Sequence, residues 1–384
     1  MRNARLVLPD GVVEASLVVA DDRIAEIGQT SNALASAREV DATGLTIFPG
    51  FIDVHIHGAV GVDTMAATPA DLSSVSKLLA TRGVTGWLPT FVPAPAADYA
   101  TAINAIADAS EETGGARILG VHYEGPFVNS SQCGALHTEY FRSYKSSDDL
   151  ADLPQMKQPN AKHMITVAPE VEGGLELVRE LTRRGWIVSI GHTRASSSLL
   201  DEACAAGARH MTHFMNAMPP LHHRSPGPVG WGLLRDDVTC DVIADGVHLE
   251  PEMLRLLLKV KTAERLCLIS DAVVAAGRGD GSYEIWGETI TVTNGRTANA
   301  HGSIAGSVIT MLDAVRLMLS LGTSETEVAR MAATNPATLL GLSDECGSIV
   351  EGKRADFVAL DSNREVAFTM IGGVNQVMSK QSNE

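Results

Sequence analysis

The stretch Gly50-Phe51-Ile52-Asp53-Val54-His55-Ile56-His57-Gly58 decides how this sequence is interpreted. Its apolar residues predict a buried strand, and two histidines stand two positions apart at the end of that strand. Side chains at positions i and i+2 of a strand point to the same face, so His55 and His57 are placed to bind one metal ion. The alternative is a pair of structural histidines satisfied by hydrogen bonds, because buried imidazoles need polar partners.

Beyond this stretch, the chain alternates apolar strands with amphipathic helices. The predicted strands are 46–55, 84–91, 117–124, 164–168, 186–191, 208–213, 240–244 and 265–270. The predicted helices between them include 70–82, 96–109, 174–184, 196–206 and 251–260. Eight strand–helix units over about 250–300 residues match the size of a (β/α)8 TIM-like barrel. A doubly wound open sheet is the alternative, and it would bind its ligand at a single switch point.

Polar side chains stand at the ends of most predicted strands. They are His55 and His57 on the first strand, Glu124 on the third, His192 on the fifth, His213 on the sixth, His248 after the seventh and Asp271 on the eighth. Taken singly, each has an ordinary structural explanation, such as a helix cap or a satisfied core histidine. In a barrel, however, all carboxyl ends meet at one rim, so their shared position favours an α/β barrel with an active site there.

The two ends of the chain differ from its middle in their sequence pattern. Short apolar pieces separated by turn residues predict strands at 5–8, 16–20 and 23–27, and again at 347–350, 355–360 and 365–369. We expect these strands to form one antiparallel unit. The predicted organisation is a small β-sandwich domain built from residues 1–48 and 346–384, beside a metal-dependent catalytic barrel of residues 49–345.

Composition excludes several classes of protein. A net charge of -16 over 384 residues disfavours nucleic acid and anionic membranes as partners. No apolar run approaches the ~20 residues of a membrane helix, and residues 1–10 lack the pattern of a secretory signal. The 5 cysteines are scattered and odd in number, which favours a reducing compartment. We therefore expect a cytoplasmic enzyme.

Imidazoles and carboxylates predict the cofactor. Ligands of this type accept zinc, iron, manganese or cobalt, and a catalytic site keeps one position open. His192 and His213 are one strand–helix unit apart, so they fall on neighbouring strands, and Glu124 is placed to bridge two ions. Asp271 ends an apolar strand and is a candidate general base. We expect one or two divalent metal ions per subunit.

Several motifs together resemble a known family. They are Val121-His122-Tyr123-Glu124-Gly125-Pro126-Phe127, Val167-Ala168-Pro169-Glu170, Ile190-Gly191-His192-Thr193, Thr212-His213-Phe214-Met215-Asn216-Ala217-Met218, Ala244-Asp245-Gly246-Val247-His248, Ser270-Asp271-Ala272 and Ala305-Gly306-Ser307. The chain resembles, over almost its whole length, the N-acetylglucosamine-6-phosphate deacetylase family of the amidohydrolase superfamily.

The resemblance implies a role for each matching residue. It implies metal ligands at Glu124, His192, His213, His55, His57 and Asp271. It implies catalytic roles for Asp271, as base and later acid, and for His137, which would polarise the amide. It implies substrate contacts at His137, Asn216, Ala217, Arg224, His248 and Ile304. Arg224 would reach the phosphate of a neighbouring active site, which requires a homodimer.

The resemblance also implies the reaction. Water activated by the metal would attack the acetamide of N-acetyl-D-glucosamine 6-phosphate, releasing acetate and D-glucosamine 6-phosphate, a step of amino-sugar catabolism and cell-wall recycling. One alternative is another amidohydrolase, such as a cyclic-amide hydrolase or a deaminase. Many binuclear members of that group use a carboxylated lysine at the end of the fourth strand, where this chain has Val167-Ala168-Pro169-Glu170. The other alternative is a non-catalytic sugar-phosphate binding protein, which would have lost ligands or the base.

Overall fold

Most strands of the protein belong to a parallel barrel or to a separate mixed sheet in the computed structural model, which describes residues 1–28, 38–112 and 114–376. In chain order the strands are β1 (Ala4–Leu8), β2 (Gly11–Ala20), β3 (Arg23–Gly28), β4 (Thr46–Pro49), β5 (Phe51–Ile56), β6 (Gly58–Ala59), β7 (Val62–Asp63), β8 (Val84–Phe91), β9 (Arg117–Ile118), β10 (Gly120–Glu124), β11 (Lys162–Val167), β12 (Ile187–Ile190), β13 (His210–Met211), β14 (Thr239–Ile243), β15 (Leu266–Ile269), β16 (Gly281–Ile285), β17 (Glu288–Thr293), β18 (Arg296–Ala298), β19 (Phe357–Leu360), β20 (Val366–Ile371) and β21 (Val374–Asn375).

The helices connect the barrel strands and cover them. In chain order they are α1 (Pro69–Thr81), α2 (Ala96–Ser110), α3 (Gly174–Arg183), α4 (Ser197–Ala206), α5 (Gly227–Leu234), α6 (Pro251–Val260), α7 (Met311–Ser320), α8 (Glu325–Ala329) and α9 (Asn335–Leu339). A π-helical turn, Arg330–Thr334, joins the last two. Within the described ranges, no helix has both the length and the apolar character needed to cross a membrane.

Eight parallel strands form the barrel. Their order is β5, β8, β10, β11, β12, β13, β14 and β15. The barrel closes at its carboxyl rim, where the Asp271 amide donates to the His55 carbonyl at 2.9 Å and the His57 amide donates to the Ala272 carbonyl at 2.8 Å. An open sheet would leave these edges apart, so the doubly wound alternative is wrong and the TIM-like prediction is confirmed.

The barrel strands are apolar because both of their faces are covered. All eight residues of β8 and all six of β5 are buried, which is typical of parallel strands lying between a core and a layer of helices. The helices bury one stripe each. In α3, Leu177, Val178 and Leu181 are buried, while Arg179 and Arg183 point to solvent and pair with glutamates. Because of this pattern, the helix predicted at 174–184 agrees with α3 to within one residue.

Helix α5 carries little helical signal in its sequence. Its residues, Gly227-Pro228-Val229-Gly230-Trp231-Gly232-Leu233-Leu234, include three glycines, and glycine disfavours helix interiors by about 1 kcal/mol. Packing explains one of them. A Cβ at Gly232 would lie 2.6 Å from both the Met211 sulfur and the Phe214 ring. The helix therefore depends on close contact with the chain around β13.

The chain ends form one seven-stranded sheet with its own core. The strand order is β21, β20, β19, β4, β1, β2 and β3, so the prediction of a β unit built from both ends is confirmed. Two details of that prediction are wrong. The pair β1–β4 is parallel, because the chain must return alongside β1 before it enters the barrel. Residues 347–350 form no strand in the described chain; Ile349 instead fills the sheet's core.

The domain limits predicted from the sequence, 1–48 and 346–384 around a barrel of 49–345, stay a prediction. Residues 29–37 and 377–384 of the β unit, and residue 113 of the barrel, lie outside the described ranges. Two separate buried clusters support the division. One surrounds Leu6, Ile47 and Phe357 in the terminal sheet. The larger one joins the barrel strands to their helices.

A three-stranded sheet was not expected from the sequence. Strands β16, β17 and β18 pair antiparallel after the last barrel strand. Their core packs Ile285, Ile290 and Val292 against Val273 and Ala305, which flank the carboxyl rim of the barrel. This small sheet therefore lies beside the predicted site.

One histidine of the barrel makes stability sensitive to acid. Burial lowers the pKa of His163 on β11 to about 4, and its neutral Nε2 accepts a hydrogen bond from the Met156 amide at 2.9 Å. The unfolded chain takes up this proton near pH 6.5, so the contribution of His163 is present above that pH and is lost as the pH falls toward 4.

We therefore expect His163→Gln to flatten the pH dependence of stability. Glutamine keeps an acceptor but does not titrate, so the free energy of unfolding should fall less steeply between pH 6.5 and 4 than in the wild type. Urea denaturation at several pH values measures this slope. Equal slopes for the two proteins would show that the protonation of His163 is not coupled to folding.

Candidate active site

The predicted site residues meet at the carboxyl rim of the barrel. Glu124 ends β10, while His192, His213 and Asp271 each stand two positions after the last residue of β12, β13 and β15. These last three have positive φ angles of 48°, 27° and 49°. Non-glycine residues rarely adopt this conformation, and it is concentrated at functional sites. The turn at each strand end therefore directs these three side chains to one place.

The first group of donor atoms surrounds one carboxylate oxygen. Glu124 Oε1 lies 2.9 Å from His192 Nε2 and 2.8 Å from His213 Nε2. The two imidazole nitrogens are 3.1 Å from each other. All three residues are buried, and they come from three different strands. The prediction that they converge is confirmed by these distances.

The second group uses the other oxygen of the same carboxylate. His55 Nε2 and His57 Nε2 are 3.1 Å apart, and Asp271 Oδ1 lies 3.4 Å and 3.3 Å from them, respectively. Glu124 Oε2 is 3.2 Å from His57 Nε2 and 3.7 Å from His55 Nε2. Glu124 therefore faces both groups, as expected of a bridging ligand.

The contacts of the histidine rings indicate that these groups fit cations. His192 Nδ1 lies 2.7 Å from the Gln132 carbonyl and His57 Nδ1 lies 3.3 Å from the Thr90 carbonyl. A carbonyl only accepts, so each Nδ1 carries the proton and a neutral ring turns its Nε2 lone pair toward the carboxylates. Such a lone pair and an anionic oxygen repel unless a positive charge lies between them, either a second ring proton or a metal ion. The donors are nitrogen and oxygen, which suits zinc, iron, manganese or cobalt.

The electrostatics of the group keep both acids ionised. Burial raises the pKa of the Glu124 carboxyl, but the imidazoles of His55, His192 and His213 outweigh burial and hold it well below its usual range. Burial likewise raises the pKa of Asp271, and His55 and His57 bring it below its ordinary value. The site therefore offers two carboxylates and four imidazoles to positive charge.

A second layer of buried polar residues supports the histidines. Asp53, inside β5, accepts hydrogen bonds from both the amide and the hydroxyl of Ser270, at 3.2 Å and 2.6 Å. The His122 ring stands edge-on to His55 with centroids 4.6 Å apart and contacts Thr166 Oγ1 at 2.8 Å. The alternation of buried polar and apolar residues on β5 and β10 is the sequence signal for this layer.

His137 lies outside both metal groups, on a loop that packs against the site. The loop supplies the Gln132 carbonyl to His192, and a Cβ at Gly134 would lie 3.5 Å from the His192 ring. His137 Nδ1 is 3.3 Å from Glu139 and its Nε2 is 3.6 Å from Glu288. Its predicted role in catalysis stays a prediction, since its present contacts are to these two carboxylates.

The predicted substrate residues lie on loops after the barrel strands. The Asn216 amide side chain donates to the His213 carbonyl at 3.2 Å, and Ala217 has a φ of 52° in the same turn. His248 Nδ1 pairs with Asp245 at 2.7 Å. Ile304 lies three positions before Ser307. The Ser307 amide donates to the Asp271 carbonyl at 2.7 Å, which places this segment beside the site.

Arg224 differs from these residues because it is exposed. It lies on the surface segment 221–226, where its guanidinium contacts His223 Nε2 at 2.7 Å. It has no contact with the metal groups of its own chain among the described residues. Its predicted reach into a neighbouring active site is compatible with this position and stays a prediction.

Trp286 is a site residue that sequence reasoning missed. It occupies the turn between β16 and β17 with a φ of 52°, and its ring stands edge-on to His57 with centroids 5.1 Å apart. It also packs with Val92, Val128 and Leu136. The sequence around this tryptophan does not predict its contact with His57, because the contact depends on where the hairpin packs in the folded protein.

Comparison with known proteins agrees with the geometry. Residues 46–375 match the amidohydrolase family. The chain is 36% identical over 392 residues to the N-acetylglucosamine-6-phosphate deacetylase of Bacillus subtilis, covering 100% of this chain and 98% of the relative. It is 37% identical over 378 residues to the N-acetylgalactosamine-6-phosphate deacetylase of Escherichia coli O157:H7, covering 97% and 98%.

Solved structures show the same similarity. The N-acetylglucosamine-6-phosphate deacetylase of Thermotoga maritima is 34% identical with a TM-score of 0.88, covering 99% of both chains. An aspartate-to-alanine mutant of the Mycobacterium smegmatis enzyme, solved with N-acetyl-D-glucosamine-6-phosphate, is 30% identical with a TM-score of 0.89, covering 98% of both.

Proposed function

The chain belongs to the amidohydrolase family, and we propose that it is an N-acetylglucosamine-6-phosphate deacetylase. It hydrolyses the acetamide of N-acetyl-D-glucosamine 6-phosphate to give acetate and D-glucosamine 6-phosphate. The observation that carries this proposal is the shared carboxylate of Glu124 between two histidine groups, with Asp271 beside it, in a chain similar to such deacetylases over its whole length.

The metal-binding residues are assigned by their groups. Glu124, His192 and His213 would hold one divalent cation, and His55, His57 and Asp271, together with Glu124, would hold another. When bound, such a cation acts as a Lewis acid toward water and toward a carbonyl oxygen. The sequence and the geometry are compatible with one or two ions per subunit.

Asp271 moves the proton in this reaction. Its carboxylate is ionised because the facing imidazoles lower its pKa despite burial, so it can accept a proton from the attacking water. It then delivers that proton to the departing amine, which would otherwise leave as an unstable anion. His137, on the adjacent loop, is the proposed donor to the acetamide carbonyl oxygen as negative charge develops there.

The phosphate group of the substrate takes no part in bond breaking. Binding of the phosphate holds the acetamide over the site, and this positioning increases the rate of the chemical step. Arg224, His248 and Asn216 are the proposed contacts, together with Ala217 and Ile304. An arginine suits this task because its planar fork donates two hydrogen bonds to phosphate, and a protein of net charge -16 needs local positive charge to bind an anion.

The exposure of Arg224 supports a homodimer. Its guanidinium lies on a surface segment and contacts no metal ligand of its own chain in the described residues, so we propose that it completes the phosphate site of a second copy. We also propose a cytoplasmic location. It is supported by five cysteines that remain free and of which four are buried.

Two other functions are disfavoured by particular residues. A cyclic-amide hydrolase or deaminase of the type with a carboxylated lysine would carry it at the end of the fourth barrel strand. Here that strand, β11, is followed by Ala168, Pro169 and Glu170. A non-catalytic sugar-phosphate binding protein would not need Asp271 beside the second histidine group.

The proposed function is tested by acetate release. Purified enzyme, with its metal content measured, should release acetate from N-acetylglucosamine 6-phosphate and should be much slower on unphosphorylated N-acetylglucosamine. The epimer N-acetylgalactosamine 6-phosphate is the necessary comparison, because a relative with that substrate is equally similar. Hydantoins and dihydroorotate complete the panel. Binding without acetate release, or turnover of the cyclic amides alone, would refute the proposal.

Arg224→Ala should weaken the binding of the phosphorylated substrate. Hydrogen bonds to charged groups contribute about 1.5–3 kcal/mol, so we expect KM to rise by about 10- to 100-fold with a smaller change in kcat. Steady-state kinetics measure both constants. The control is Arg255→Ala, which removes an arginine from the exposed face of α6. An unchanged KM in the Arg224 variant would exclude this residue from the phosphate site.

A further inference from the structure

A third group of metal-type side chains lies inside the barrel and shares no residue with the rim. His210, Asp241 and Cys267 come from the neighbouring strands β13, β14 and β15, and their donor atoms all lie within 4.8 Å of one another. Asp241 and Cys267 are direct partners in the strand register. Their strand neighbours, such as Val242 and Leu268, face the helices, so the three side chains face the interior.

The group is fully buried and its polar atoms are not satisfied by the described chain. His210 and Asp241, like Cys267, have no exposed surface. His210 Nε2 lies 2.7 Å from Asp241 Oδ1, yet neither that nitrogen nor either Asp241 oxygen has a hydrogen-bond partner of acceptable geometry among the described residues. A buried carboxylate without hydrogen bonds is strongly disfavoured, and a cation bound beside Asp241 would satisfy it.

The proton on His210 can be located from its neighbour. His210 Nδ1 is 2.6 Å from Thr239 Oγ1, and that hydroxyl donates its own proton to the Arg209 carbonyl at 3.4 Å. The hydroxyl oxygen can then accept from Nδ1, which leaves Nε2 as the ring atom that faces Asp241. The same arrangement occurs at the rim, where His192 Nδ1 donates to a carbonyl and Nε2 lies 2.9 Å from Glu124.

We propose that His210, Asp241 and Cys267 bind a divalent transition-metal cation in the barrel core, separate from the cations of the active site. A nitrogen, a carboxylate and a sulfur donor together favour a borderline-soft ion such as zinc or cobalt over magnesium or calcium. The second oxygen of Asp241 is available as a further donor.

The charges of this group balance when the cation is bound. Burial raises the pKa of the Cys267 thiol well above its usual range, so the free side chain is neutral. Binding replaces the thiol proton with the metal and releases that proton to solvent. One thiolate, one carboxylate and a neutral imidazole then cancel the two positive charges, which suits a site without water. The bound ion links β13, β14 and β15, and His213 and Asp271 follow the first and last of these strands. Because the ion binds the folded chain, it stabilises the folded state by mass action.

Sulfur distinguishes this site from the rim. The rim ligands are histidines and carboxylates, so a metal–sulfur signal reports on cysteine. Zinc-edge X-ray absorption of the wild-type holoenzyme should show sulfur at about 2.3 Å from the metal. The cobalt-substituted enzyme should show thiolate-to-cobalt charge-transfer absorption in the near ultraviolet. The absence of both signals from the wild-type protein would overturn the proposal without any variant.

Matched cysteine variants assign the signal. Cys267→Val keeps the size and apolar character of the side chain, and it should abolish the charge-transfer band and lower the metal content by one equivalent per chain. Cys133→Ser is the control, because Cys133 lies on the loop beside the rim and should leave the band intact. A band that survives Cys267→Val, or that disappears with Cys133→Ser, would overturn the assignment.

Asp241→Asn supplies an independent check if Cys267→Val folds poorly. It keeps the shape of the side chain but removes the charge, and it should also cost one metal equivalent. Unchanged metal content in a folded Asp241→Asn protein would show that His210 and Asp241 form only an ion pair. Acetate release is not the readout in any of these experiments, so the outcome does not depend on the proposed function.

Discussion

Replacing Asp271 by asparagine is expected to lower kcat for acetate release by about 10²–10⁴-fold, the range that a positioned general acid–base group contributes. Asparagine cannot accept the water proton or return it to the amine. The substitution preserves the shape of the side chain, and asparagine tolerates the left-handed backbone found at this position, where φ is 49°. The variant should therefore fold, and the loss should appear in the chemical step rather than in stability.

Metal analysis separates this effect from loss of the cofactor. We expect the Asp271→Asn protein to keep the metal held by Glu124, His192 and His213, because none of these three ligands is changed. Asp236→Asn, at an exposed position, is the matched control and should keep full activity. Wild-type activity in the Asp271 variant would show that another group is the base.

Replacing Glu124 by alanine should remove metal from both positions together. Its two oxygens face different histidine groups, at 2.8–2.9 Å on one side and 3.2–3.7 Å on the other. Loss of this anion leaves four imidazoles without the charge that offsets a divalent cation. Since even outer-shell changes cost about 10- to 100-fold in metal affinity, the loss of this ligand should cost at least about 100-fold.

A comparison of ligand variants tests whether Glu124 is the bridge. His57→Ala should lose no more than one metal equivalent, because His57 belongs only to the second group. Glu124→Ala should lose all of the rim metal, measured after dialysis against a chelator at fixed concentration. Glu252→Ala, on the exposed face of α6, controls for surface charge. If both histidine groups keep their metal in the Glu124 variant, the carboxylate is not shared.

The barrel and its rim could be predicted because their signals are local. A strand covered on both faces must be apolar along its length, so β5 and β8 are visible as apolar runs. A polar residue that ends such a run lies at the carboxyl end of the strand, whatever the rest of the chain does. Parallel pairing then brings Glu124, His192, His213 and Asp271 to the same rim, and their distances follow from the closure of the barrel.

Other features depend on contacts between distant segments. Trp286 lies on a hairpin whose sequence is unremarkable, and it reaches His57 only because that hairpin packs beside the rim. The parallel pairing of β1 and β4 depends on the route by which the chain enters the barrel. Helix α5 forms in spite of its glycines because it packs against Met211 and Phe214.

The sequence by itself determined the order of the eight barrel strands and of the helices α1 to α4 and α6, the residue types at the strand ends and, through them, the chemistry of the rim. Only the tertiary structure supplied the distances at which the predicted bridging carboxylate faces two histidine groups, and only it decided that His210, Asp241 and Cys267 meet inside the barrel. The physical reason is that burial and periodicity act on neighbours along the chain, whereas the distance between donor atoms on different strands is set by strand register and barrel closure.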